Sequence, residues 1–218
     1  MIFRAVIFDL DGTLLDTIED LTDSMNAALV GMGFEPKTVE ECKNLVGDGL
    51  TTFVERALPP SAAGDPESAR TLRRLMREEY RRRDAWKTKP YPGIPELLAA
   101  LGGKKIPLAI LSNKPHDSTQ EVVGKFFPAV EFAAVYGARD DVPVKPDPAG
   151  ALEIALLLRI PPRKILYVGD TNTDMRTAGA AGMYAVGVLW GFRTPEELRE
   201  NGARILISHP SELLDLLD

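Results

Sequence analysis

Short apolar runs bounded by turn residues, with helical periodicities between them, constrain this chain more than any other feature. The runs fall at 5–8, 107–111, 133–136, 165–168 and 185–189, each short enough for a strand buried on both faces. Helical patterns at 94–101, 118–127, 148–158, 174–181 and 195–201 alternate with the later runs. This alternation predicts an α/β chain: a doubly wound parallel, Rossmann-like sheet with right-handed crossovers and ligands beyond the carboxyl ends of its strands.

The stretch from Thr17 to about Lys87 breaks the rhythm, with several helical stripes and no convincing strand. Ile18, Leu21, Met25, Ala28, Leu29 and Met32 share one helical face, with Gly31 and Gly33 as the stop. Leu50, Phe53, Val54, Ala57 and Leu58 form a second stripe, and Ala69, Leu72, Leu75, Met76 and Tyr80 a third. The expected organisation is a core of residues 1–15 and 89–218 carrying an inserted all-helical cap domain, 16–88. Seven arginines crowd the third cap helix among Glu67, Glu78 and Glu79, which reads as a solvated face with local ion pairs. The tail SHPSELLDLLD reads as a final helix started near Pro210, with His209 exposed.

At 218 residues the chain can bury a full core. A net charge of −6 argues against nucleic acid or an anionic membrane as partner, because either needs a concentrated basic face. No apolar run approaches the roughly 18 residues that span a bilayer. The opening MIFRAVIFDLDGT turns acidic too early for a signal peptide, and Cys42 is the sole cysteine, so a cytoplasmic protein is expected. Cys42 itself reads as filler on a helix.

The chemistry-bearing residues sit at the ends of the apolar runs. FDLDGT places Asp9 and Asp11 two residues apart, on one side of an emerging strand, where a hard cation could gather them. Gly12 permits close backbone approach, and Thr13 offers a hydroxyl and an amide to an oxyanion. ILYVGDTNTD adds Asp170 and Asp174; helix capping by Asp170 or Thr173 is the alternative role there. An oxygen-rich cluster of this kind suits magnesium better than zinc. Lys145, in a loop stiffened by Pro143, Pro146 and Pro148, supplies a cation, and Ser112 and Asn113 in AILSNKPHD supply neutral donors for phosphoryl oxygens.

The order DLDGT, LSN, KP and GDTNTD, with a helical insert directly after the first motif, closely resembles the haloacid dehalogenase superfamily of phosphohydrolases over essentially the whole chain. The resemblance implies that Asp9 attacks phosphorus to form an aspartyl-phosphate, with Asp11 as general acid and base. It further implies Ser112 on a phosphoryl oxygen and Lys145 pairing with nucleophile and phosphate. Mg2+ would be held by the Asp9 carboxylate, the Asp11 backbone carbonyl and Asp170, with Asp174 acting more indirectly. Asp11 favours phosphate over halide chemistry, since a halide leaving group needs no acid. The cap implies a small phosphorylated metabolite as substrate, handled by a monomer or homodimer.

Within the cap, LVGDGLTTFVERAL resembles the specificity loop of phosphoglycolate phosphatases. Gly47, Asp48 and Gly49 stand where those enzymes tend to have Gly, Asn and Gly. Asp48 is the departure: its charge would disfavour a substrate carboxylate, unless it serves only as the N-cap of the next helix. The leading expectation is 2-phosphoglycolate hydrolysis. Alternatives are another small phosphomonoesterase or pyrophosphatase, a β-phosphoglucomutase-like phosphotransferase, and a non-catalytic phosphate-ligand binding protein.

Overall fold

The computed structural model describes residues 3–217, which form two compact units. One contains the chain up to Leu15 and again from Pro90 onward; the other is Asp16–Lys89.

In the first unit, six strands make one parallel sheet: β1 (Ala5–Phe8), β4 (Leu108–Pro115), β5 (Ala134–Ala138), β6 (Ile165–Gly169), β7 (Tyr184–Val188) and β8 (Ile205–Ile207). Their spatial order is β5-β4-β1-β6-β7-β8. Residues alternate strictly between two cores. Val6, Phe8, Leu108, Ile110, Leu166 and Val168 pack on one face, against Leu97 and Leu98 of α5 (Ile94–Gly103) and Val122 and Val123 of α6 (His116–Phe126). Ala5, Ile7, Ala109, Ile165 and Tyr167 pack on the other. There they meet Ile154 of α7 (Ala149–Leu158), Met175 of α8 (Asn172–Ala180) and Leu198 of α9 (Pro195–Glu200). Each strand is apolar on both faces, as a doubly wound sheet requires. The chain winds outward from β1 through β4 to β5, then returns to β6 on the other side of β1. The switch in direction therefore lies between β1 and β6, where the strand ends open a crevice.

The second unit is helical: α1 (Ile18–Gly31), α2 (Val39–Leu45), α3 (Leu50–Ala57) and α4 (Pro66–Arg83). Ile18, Leu21, Met25, Ala28 and Leu29 of α1 are buried, as are Phe53, Val54 and Ala57 of α3 and Leu72 and Met76 of α4. The arginines of α4 form short-range pairs, Arg74 with Glu78 at 3.0 Å and Arg82 with Glu79 at 2.7 Å, each worth little in water. The stripes do not register α2, whose only buried residue is Cys42. Its signal lies elsewhere, in the capping box between Thr38 and Glu41. A two-stranded ribbon of β2 (Leu15–Asp16) and β3 (Lys89–Pro90) completes the element set. The tail forms a 3-10 helix, Pro210–Leu216, with Leu213 buried and His209 exposed as its N-cap.

Candidate active site

β1 ends at Phe8, so Asp9 emerges at the sheet's carboxyl edge, its amide still bonded to Val168 O of β6 at 2.9 Å. Asp170 follows directly on β6, and Asp174 lies in the first turn of α8. One carboxylate oxygen from each of Asp9, Asp170 and Asp174 falls within 4.8 Å of the others, and all three residues are buried. Lys145, 3% exposed, enters between two of them, with Nζ 2.9 Å from Asp9 Oδ1 and 2.7 Å from Asp174 Oδ1.

The remaining bonds fix these groups in place. Asp170 accepts from Thr13 Oγ1 and from the Phe192 amide, both at 2.9 Å. Gly12 and Gly191 wall it in, since a Cβ at Gly12 would lie 2.3 Å from Asp170 Oδ2 and one at Gly191 2.2 Å from its Cβ. Gly12 also adopts φ +89, which an L side chain resists. Asp174 spends its second oxygen on the start of its own helix, accepting from Thr171 N at 3.1 Å and Thr171 Oγ1 at 2.7 Å.

Several expectations change. Thr13 turns its hydroxyl to Asp170, and its amide donates to Leu10 O at 3.3 Å, so the residue braces a carboxylate and closes a turn. Asn113 grips the backbone of Lys145 from both sides, its Nδ2 donating to Lys145 O at 3.0 Å and its Oδ1 accepting from Lys145 N at 2.9 Å. Through these two bonds the side chain aligns the lysine loop. The carboxylate of Asp11 stands outside the acidic cluster because Lys114 Nζ holds both of its oxygens, at 3.1 and 3.0 Å. The cap of α8 is Thr171, neither Asp170 nor Thr173.

In the helical unit, Gly47, Asp48 and Gly49 precede α3. The N-cap is Gly49, with φ 89, and Asp48 is no cap. Asp48 pairs instead with Arg56, Oδ2 to Nη2 at 2.7 Å.

Lys114 and Thr171, not singled out from sequence, also matter. So does the WGF segment, which the sequence offers as a site entrance, a subunit contact or a packed loop: the Phe192 amide donates to Asp170, and the Trp190 indole donates to Thr13 O at 3.0 Å. Lys114 sat in the SNK motif in plain view. What linked it to Asp11 was a chain separation of 103 residues, which no local pattern encodes.

The electrostatics are those of a site short of positive charge. Burial, then the charge of Asp174, raise the Asp9 carboxyl from 3.8 to about 7 against the pull of Lys145. Burial, then Asp174 and Asp9, push Asp170 well above the usual carboxylate range. Burial works to lower Lys145, but Asp174 and Asp9 outweigh it and hold its pKa well above the usual lysine value. Among the described residues, no aligned hydrogen bond reaches Asp9 Oδ1 despite its contact with Lys145. Three convergent hard oxygens, two with disfavoured ionised forms, fit a divalent cation of the magnesium type.

A pH test follows for the metal-free protein. With a folded pKa of about 7 and an unfolded value near 3.8, Asp9 contributes stability that is full below about pH 3.8 and lost as pH rises through about 7. Asp9→Asn lacks this loss. In EDTA its melting temperature should therefore gain on the wild type from pH 5 to 8, by the equivalent of about 2–3 kcal/mol. A constant offset across that range would contradict the strained carboxylate.

The model of the haloacid dehalogenase-like hydrolase family matches residues 6–188. The chain belongs to that family. Among curated relatives, an N-acetylmuramic acid 6-phosphate phosphatase of Pseudomonas aeruginosa is 32% identical, covering 100% of this chain and 96% of its own. A phosphoglycolate phosphatase of Chromobacterium violaceum is 31% identical, covering 98% and 96%. A solved homologue from Lactobacillus delbrueckii subsp. bulgaricus superposes with a TM-score of 0.92 at 32% identity, over 100% of this chain and 99% of that one. Among the described residues, no helix is long and apolar enough to cross a membrane.

Proposed function

We propose that this phosphatase hydrolyses a small cytoplasmic phosphomonoester, 2-phosphoglycolate foremost, through an aspartyl-phosphate on Asp9. The observation that carries the reading is the buried contact of Asp9 with Lys145 at the strand switch, two residues before a second carboxylate held on its own lysine.

In the first step an Asp9 carboxylate oxygen bonds to phosphorus as the bond to the leaving oxygen breaks, and Asp11 passes its proton to that oxygen. In the second, water attacks the same phosphorus and gives Asp11 a proton, and the Asp9–phosphorus bond breaks to release phosphate. Lys145 keeps its ammonium against Asp9 and the equatorial oxygens, where phosphoryl transfer most needs cations. Ser112, 4% exposed within β4 and accepting from the Lys114 amide at 3.2 Å, turns its hydroxyl proton to one phosphoryl oxygen. Asn113 serves by fixing the loop that carries Lys145. Mg2+, held by Asp9 and Asp170 with Asp174 behind them, would offset the negative charge that nucleophile and phosphoryl group bring together.

The choice of 2-phosphoglycolate draws on the named relatives and on Asp48, whose charge is balanced by Arg56 and so no longer argues against a carboxylate substrate. N-acetylmuramic acid 6-phosphate is the second reading, favoured by the Pseudomonas aeruginosa relative. Phosphate release measured against both esters, pyrophosphate, sugar phosphates and nucleoside monophosphates decides between them. Turnover of 2-phosphoglycolate should lead; inactivity on every ester would support a binding protein, and transfer to a second hydroxyl of β-glucose 1-phosphate a mutase.

Metal dependence is checked separately. EDTA should abolish turnover and millimolar Mg2+ restore it. The same ion should stabilise the protein by about 2.7 kcal/mol at a hundredfold excess over its Kd. An unchanged melting curve on adding Mg2+ would count against the acidic cluster as its site.

A further inference from the structure

Lys114 ends the SNK segment of β4, is 8% exposed, and lies 3.0–3.1 Å from both oxygens of Asp11. Burying an ammonium is costly, and an apolar residue would fill the same space more stably, so a cation here calls for a role beyond packing. Lys145 is committed elsewhere, between Asp9 and Asp174. The two lysines therefore mark different parts of the reaction: Lys145 the phosphoryl group, Lys114 the side on which the leaving oxygen departs.

Distance makes this specific. An oxygen taking a proton from Asp11 lies about 2.6–3.2 Å from that carboxylate. Lys114 Nζ lies 3.0 Å beyond it, hence no more than about 6 Å from the leaving oxygen. In an ester whose carboxylate hangs on the carbon bearing that oxygen, ordinary bond lengths set the carboxylate roughly 3 Å from it. With the carboxylate turned toward Lys114, these lengths bring it within a charge-assisted hydrogen bond of the ammonium, which carries three N–H donors and can hold one oxygen of Asp11 and one of the substrate together.

We propose that Lys114 is the specificity-determining residue for the leaving group, selecting phosphomonoesters with a carboxylate on the carbon next to the phosphoryl oxygen. This rests on the phosphatase reading above. A carboxylate remote from the ester oxygen, as on a substituted sugar 6-phosphate, lies outside the reach of Lys114.

The test compares kcat/KM for 2-phosphoglycolate and 2-hydroxyethyl phosphate, in which a neutral hydroxymethyl group replaces the carboxylate, with p-nitrophenyl phosphate as reference. Wild type should favour the carboxylate ester by roughly 10- to 100-fold. Lys114→Met should bring the ratio close to one, chiefly by losing turnover of 2-phosphoglycolate, and Lys114→Arg should keep most of the preference. Lys114→Gln replaces the Met variant if that one does not fold. Equal losses on both esters would overturn the proposal and leave Lys114 a positioning residue for Asp11. A wild-type ratio near one, with p-nitrophenyl phosphate hydrolysed, overturns the proposal while the phosphatase reading stands. Failure on all three esters overturns that reading, and the proposal with it.

Discussion

Asp9→Asn is expected to lower kcat by on the order of 10^4-fold or more, with the protein folded and, in metal-free buffer above neutrality, more stable than wild type. The amide preserves the shape of the side chain but offers phosphorus no anionic oxygen, so the covalent step has no donor. The loss should fall on kcat, because the phosphoryl group keeps Lys145 and Ser112. Burst kinetics and acid trapping of radiolabelled enzyme check the same point: wild type should retain label on Asp9, and the variant none. A variant with near-normal turnover would mean that water attacks the ester directly, and Asp9 would revert to a metal ligand.

Lys145→Met has the second largest expected effect, about 10^3-fold in kcat, the scale of removing one preorganised positive group from a dry site. It also leaves Asp9 and Asp174 facing each other without the ammonium 2.9 and 2.7 Å away. Breaking a buried pair of this kind costs about 3–5 kcal/mol. Because the damage is excess negative charge, Mg2+ or mild acid should restore much of the melting temperature without restoring turnover. Lys145→Arg should fold better than the Met variant yet remain impaired, since a planar fork cannot reproduce a point contact to two carboxylates. Activity and stability recovering together would place the role of Lys145 in folding alone.

The sheet could be read from the sequence because its strands are buried on both faces. A run such as AVIF or ILYVG has no polar positions to blur it, and the acidic residues that stop it are those the site uses. Short or polar elements left weaker traces. β8 has three residues, α2 buries only Cys42, and β4 runs through Asn113 to Pro115, where composition reads as loop. The site residues could be named from their motifs, but their partners could not. Asn113 and Lys145 are 32 positions apart, and Thr13 and Asp170 157 apart. Whether a short polar side chain meets a ligand or braces a neighbour depends on which strand ends the winding makes adjacent. Asp48 shows the same limit at shorter range: being one residue before the cap made it look like the cap, while Arg56 one helix away claimed its charge.

Asp174 divides its two oxygens between Lys145 and the first turn of α8. The start of a helix and the alignment of a reacting group thereby share a single carboxylate. Opening of that turn would take from Lys145 one of its two carboxylates, while Asp9 and the Asn113 clasp still hold it and the sheet beneath stays intact. Thr171, which touches no reacting atom, is therefore coupled to the aligned lysine through the single carboxylate of Asp174.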